Sequence, residues 1–121
     1  MVVNFLYCID IPGKSEKIEK TNCIRGWLLC SYPVVDVRVS GHFGSWCTFN
    51  YGISRPDLNT YFPMFPGNLT AGFNIETKSG TISLSERFPI EVLIKDQNDS
   101  TKSMHIELEF DPGEIQGIEI D

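Results

Sequence analysis

Two segments, Phe88-Pro-Ile-Glu-Val-Leu-Ile-Lys95 and Met104-His-Ile-Glu-Leu-Glu-Phe110, decide the fold class. In the first, Phe88, Ile90, Val92 and Ile94 recur at every second residue. In the second, Met104, Ile106, Leu108 and Phe110 do the same, with His105, Glu107 and Glu109 between them. Side chains alternate across a β-strand, so this period gives each segment one apolar and one solvated face. The intervening Asp96-Gln-Asn-Asp-Ser-Thr-Lys102 is rich in turn formers, and the whole reads as a long-looped hairpin.

The same period dominates the rest of the chain, and no long helical period appears. Residues 2–9 read as a first strand and 12–22 as a polar loop opened by Pro12-Gly13. Residues 23–32 form a second strand, with Ile24, Leu28 and Cys30 on one face and Arg25, Trp27 and Leu29 on the other. In 34–40, Val35, Val37 and Val39 are expected to face in, and Asp36, Arg38 and Ser40 out. Residues 43–51 are aromatic and expected to be extended. Asp57 is expected to cap a short helical turn, and strand character returns at 69–76 and 81–84. About seven or eight short strands at this density predict an all-β, immunoglobulin-like β-sandwich with one helical turn near 57–62. Residues 1–111 are expected to form a single sandwich domain, and 112–121 an acidic C-terminal segment or linker.

Composition narrows the function. The chain has 121 residues, 41% hydrophobic and 21% charged, an ordinary balance for one folded domain. Net charge is −6; residues 1–106 carry all ten basic side chains and ten of the sixteen acids, so the deficit lies wholly in 107–121. A neutral body with an acidic end argues against a nucleic-acid partner, because that affinity comes largely from neutralising phosphates. No apolar run approaches the ~20 residues of a membrane helix. The N-terminal residues alternate like a strand rather than forming a secretory leader, so a cytoplasmic location and reduced Cys8, Cys23, Cys30 and Cys47 are expected. The four cysteines form no Cys-x-x-Cys pair, and neither a metal nor a cofactor is expected.

Catalytic candidates are few. His42 lies five residues before Cys47, an odd separation that puts the two on opposite faces of an extended strand, so no catalytic residue is assigned. Asp96, Asn98 and Ser100 imitate a calcium loop, but Thr101 stands where such a loop needs Gly, and an Asx-rich turn is the better reading. Asn68-Leu-Thr70 and Asn98-Asp-Ser100 match the glycosylation sequon and are read as chance. Aromatic faces can stack on sugar rings, which makes Trp46, Tyr61, Phe62 and Phe65 the candidate ligand-binding residues.

Three ordered segments carry a resemblance: Ile24-Arg25-Gly26-Trp27; Tyr51-Gly-Ile-Ser-Arg55-Pro56-Asp57-Leu58 leading to Phe62-Pro63; and Ala71-Gly72-Phe73. Together they resemble an immunoglobulin-like domain of bacterial proteins, found beside glycosyltransferase and methyltransferase domains that build surface polysaccharides. The resemblance covers residues 23–110, with Leu58 where the family has Val and Asn98-Asp-Ser100 where its last hairpin has Asp-x-x-Gly. It implies a non-catalytic accessory domain whose partner is a neighbouring catalytic domain or a glycan. The alternative is a carbohydrate-binding module using the exposed aromatics; a small stand-alone enzyme ranks last. Within the motif, Arg55 is expected to be partly buried and to bond loop carbonyls, with Pro56 fixing the bend. Gly26 is expected to let a neighbour approach the strand, and Trp27 to lie in the core.

Overall fold

The hairpin forms where the alternation places it. A computed structural model describes residues 1–121. Its strands are β1 (Val3–Ile11), β2 (Lys20–Thr21), β3 (Cys23–Cys30), β4 (Val34–Val39), β5 (Cys47–Ile53), β6 (Gly72–Thr77), β7 (Ile82–Ser83), β8 (Phe88–Lys95), β9 (Thr101–Leu108) and β10 (Gln116–Ile120). A single short helix, α1 (Asp57–Tyr61), and two 3-10 turns, Gly41–Ser45 and Asn68–Thr70, complete the elements. The protein is an all-β sandwich. A five-stranded sheet in the order β10-β1-β3-β6-β5 faces a three-stranded sheet, β4-β8-β9, and β2 pairs with β7 in a small ribbon.

One core fills the space between the sheets. Phe5, Ile9, Ile24, Leu28 and Ile75 enter it from the larger sheet, and Ile90, Val92, Ile94, Ile106 and Leu108 from the smaller. The stripe Phe88, Ile90, Val92 and Ile94 is completely inaccessible to solvent. Burying each such side chain stabilises the folded chain by about 1.5–3 kcal/mol. A one-residue slip of β8 would turn the whole stripe outward, so this burial also holds the register against β4 and β9. Tyr7 fastens the two sheets. Its hydroxyl accepts a hydrogen bond from the Glu109 backbone N–H at 2.8 Å and donates to the Glu109 carbonyl at 3.3 Å.

The structure corrects three expectations. A bulge between Val34 and Asp36 adds one residue to β4, so Val34 and Val37 point inward while Val35 is 54% exposed. Residues 41–45 coil into a 3-10 turn that buries Phe43, and extension begins only at Cys47. The segment 112–121, expected to be an acidic C-terminal segment or linker, carries a further strand: β10 pairs antiparallel with β1, from Val3↔Ile120 to Tyr7↔Gln116. Ile118 and Ile120 alternate with Glu119 and pack on the core, a period that the acidic composition of the segment conceals.

Two substitutions test this packing. A methyl group on Gly26 would lie 2.1 Å from the Cys8 carbonyl oxygen, an atom that cannot rotate away. Gly26→Ala should therefore lower the unfolding free energy by about 3 kcal/mol, the upper end of ordinary overpacking costs, in urea denaturation. Tyr7→Phe removes the Glu109 bonds and should cost about 1–2 kcal/mol in the same measurement.

Candidate functional site

Strand β3 is apolar on both faces, which sets up the site. Trp27 and Leu29 point away from the main core, and with Cys8, Leu58 and Ala71 they form a second, smaller core outside the five-stranded sheet. The segment after β5 folds back over this face. The Arg55 backbone N–H donates to the Leu69 carbonyl at 2.7 Å and closes the loop at its base. Buried Asn68 stitches its interior, with Nδ2 donating to Asn59 Oδ1 at 3.2 Å and to the Phe62 carbonyl at 3.0 Å. The nitrogen that a sequon would offer for glycosylation is thus occupied and buried, whereas Asn98 lies exposed at the β8–β9 turn.

Arg55 is the central side chain of this face. Its stem crosses β6 over Gly72, where a Cβ would come within 2.8 Å of Arg55 Cγ. Nε and Nη2 form a fork on Asp57, at 3.0 and 2.9 Å, and Nη1 donates to Asp10 of β1. Arg55 therefore follows edge strand β5 in the chain, lies over β6 at Gly72 and reaches β1 at Asp10. Its side chain is 26% exposed, partly buried as expected, but its acceptors are two carboxylates rather than loop carbonyls. A guanidinium matches a carboxylate with two parallel bonds, which carbonyls of a loop rarely align to do. Asp57, occupied by Arg55, is the first residue of α1 and not its cap; Pro56 holds the cap position without a side-chain bond. The Arg55 fork holds the Asp57 carboxyl below its usual range, and the Asp57 bonds in turn raise the Arg55 pKa.

Two bulges place this arrangement. Asp10 is the extra residue where β1 shifts register against β3 between Ile9 and Ile11. Gly52 is the extra residue of β5, at φ +100°, a conformation that favours glycine. Beside Arg55 lies an open cleft of about 340 Å³, lined by Asp10, Ile11, Arg25, Ile53 and Asn74 over the backbone of Gly26 and Gly72.

The aromatic candidates separate. Phe62 packs on Trp27 in a tilted arrangement with ring centroids 5.3 Å apart, and Phe65 meets Phe62 edge-on at 6.3 Å. Trp46 packs instead on Phe43 of the main core, at 5.4 Å. Tyr61 is 73% exposed and stands apart from both clusters. Trp27 is core, but of the small outer cluster, and Phe73 faces the main core with its ring across Gly26. Cys47 is buried there too, burial pushes its thiol up, and His42 is exposed on the 3-10 turn. All four cysteines are free thiols. At the β8–β9 turn, Asp96 Oδ1 accepts the Asn98 and Ser100 backbone N–H groups, both at 2.9 Å.

Comparison with protein-family models, with curated proteins and with solved structures gives no match in any of the three.

The Arg55–Asp57 pair has a pH signature. A carboxyl whose pKa is depressed on folding adds stability above its unfolded pKa and loses it as pH falls through the folded value. The stability difference between the native chain and Asp57→Asn should hold from neutral pH down to about 4, near the unperturbed carboxyl, and shrink below that. Urea titrations at several pH values read this directly; a difference unchanged at low pH would contradict the pairing.

Proposed function

We propose that this chain is a non-catalytic, immunoglobulin-like accessory domain that serves a glycosyltransferase of polysaccharide biosynthesis as a scaffold or docking unit. The observation that carries the reading is the strand order. Leaving aside β10 and the two-residue strands, the remaining seven pair as first-second-fifth-fourth in one sheet and third-sixth-seventh in the other. That is the order of constant-type immunoglobulin sandwiches. The domain departs from the antibody pattern in its free cysteines, in its outward-facing Trp27 and in the extra strand β10 beside β1.

The motif that suggested the family supports the same reading. Arg55, Asp57, Gly72, Leu58 and Phe62 all fasten the 55–71 loop to the sheet. A motif spent on internal fastening specifies a module, and function then depends on what the module adjoins. The loop also leaves Tyr61 and Met64 each 73% exposed, side chains available to a neighbouring domain.

A direct test is the natural genomic context. A glycosyltransferase or methyltransferase domain should be encoded in the same reading frame or next to it, and the purified catalytic domain should bind this chain in calorimetric titration. Removing the domain should reduce polysaccharide output in cells while the isolated catalytic domain retains sugar transfer. Neighbours with no such enzyme, or no binding between the two, would overturn the proposal.

A further inference from the structure

We propose that the cleft between Arg25 and Arg55 binds an acidic sugar, a pyranose ring bearing a carboxylate. The chain has four arginines, and three are ion-paired: Arg38 with Asp36, Arg55 with Asp10 and Asp57, and Arg87 with Glu107 and Glu109. Arg25 has no carboxylate within 4.0 Å, and it is the one that lines the cleft beside Arg55. Asp10 and Asp57 together outweigh the single charge of Arg55, so Arg25 brings these four groups to neutrality, and its guanidinium is the one here whose donors have no carboxylate acceptor. Glu76, two residues beyond the cross-strand partner of Arg25, is engaged by the Asn74 amide at 2.8 Å. A planar guanidinium in this position can receive a ligand carboxylate through two parallel hydrogen bonds.

The other groups fit a hydroxylated ring. Asp10 gives one carboxylate oxygen to Arg55 and keeps the second as an acceptor. Asn74 Oδ1 receives only the weak Cys23 thiol, at 3.3 Å, and has acceptor capacity left. Ile11 and Ile53, 47% and 44% exposed, supply apolar walls for the C–H face of a sugar. At about 340 Å³ the cleft lies near the lower limit for small-molecule sites, suited to one ring rather than a long chain. A phosphate dianion fits less well, because the one open guanidinium, Arg25, offsets a single negative charge and the second would meet the Asp10 carboxylate. A neutral sugar would leave Arg25 unused.

This assignment does not depend on the accessory-domain reading, since the cleft would take the acid whichever domain adjoins it. The test is an amide-resolved NMR titration of the full chain at low salt with glucuronate, galacturonate, glucose and inorganic phosphate. At least one uronate should shift the signals of residues 10–11, 25–26, 53 and 72–74 in a saturable, millimolar manner. Glucose and phosphate should bind at least tenfold more weakly. Arg25→Gln, an exposed substitution whose own spectrum reports folding, should weaken uronate binding at least tenfold. Uronate shifts that are absent, lie elsewhere or persist in Arg25→Gln would overturn the assignment, as would glucose or phosphate binding equally well.

Discussion

Strand β3 must be covered on both faces. Ile24, Leu28 and Cys30 require the opposing three-stranded sheet, while Trp27 and Leu29 require something on the outside. Solvent on either side would leave large apolar surfaces wet, at about 25 cal/mol per Å². The first demand is met by the β8–β9 hairpin and its buried stripe. The second is met by the 55–71 loop, which lowers Leu58 and Phe62 onto Trp27. Because the loop must lie flat on the sheet, its first residue, Arg55, is carried across the strands, and glycine at 72 leaves the space it crosses.

The candidate site follows from that covering. Where the loop stops, the outer face is left open, and the cleft occupies that boundary with Arg25 and Asn74 on the sheet and Arg55 at the loop margin. The bulges at Asp10 and Gly52 bring side chains or chain direction to the same end of the sheet. A rigid sheet with a fastened loop is a suitable base for a small binding site, since its donors and acceptors are already held in place. The proposed docking role and the proposed ligand site fall on different parts of the same face: the exposed loop surface around Tyr61 and Met64, and the cleft beside Arg55.

Much of the sandwich was legible from alternation alone. The two faces of β3 were separable by counting, as were the stripes of β8 and β9, because strand geometry has a strict period of two. The failures mark places where the period breaks or composition hides it. The β4 bulge turned Val35 outward, and acids masked the alternation of Ile118 and Ile120. Arg55 was recognised as a fastening residue, but Asp10 was not, because its role depends on a bulge and on a partner 45 residues away. No local signal could have placed the Arg25 cleft.

The sequence by itself determined an all-β chain, the apolar faces of its strands, and a motif built around Arg55. These depend on local periodicity and on backbone preferences of Pro and Gly, which neighbouring residues suffice to express. Tertiary structure decided that β10 joins β1, that Arg55 is held by Asp10 and Asp57, and that Arg25 is the arginine without a carboxylate partner. Those outcomes require residues distant in sequence to meet, and only the packing of the two sheets and the folding of the loop over β3 bring them together.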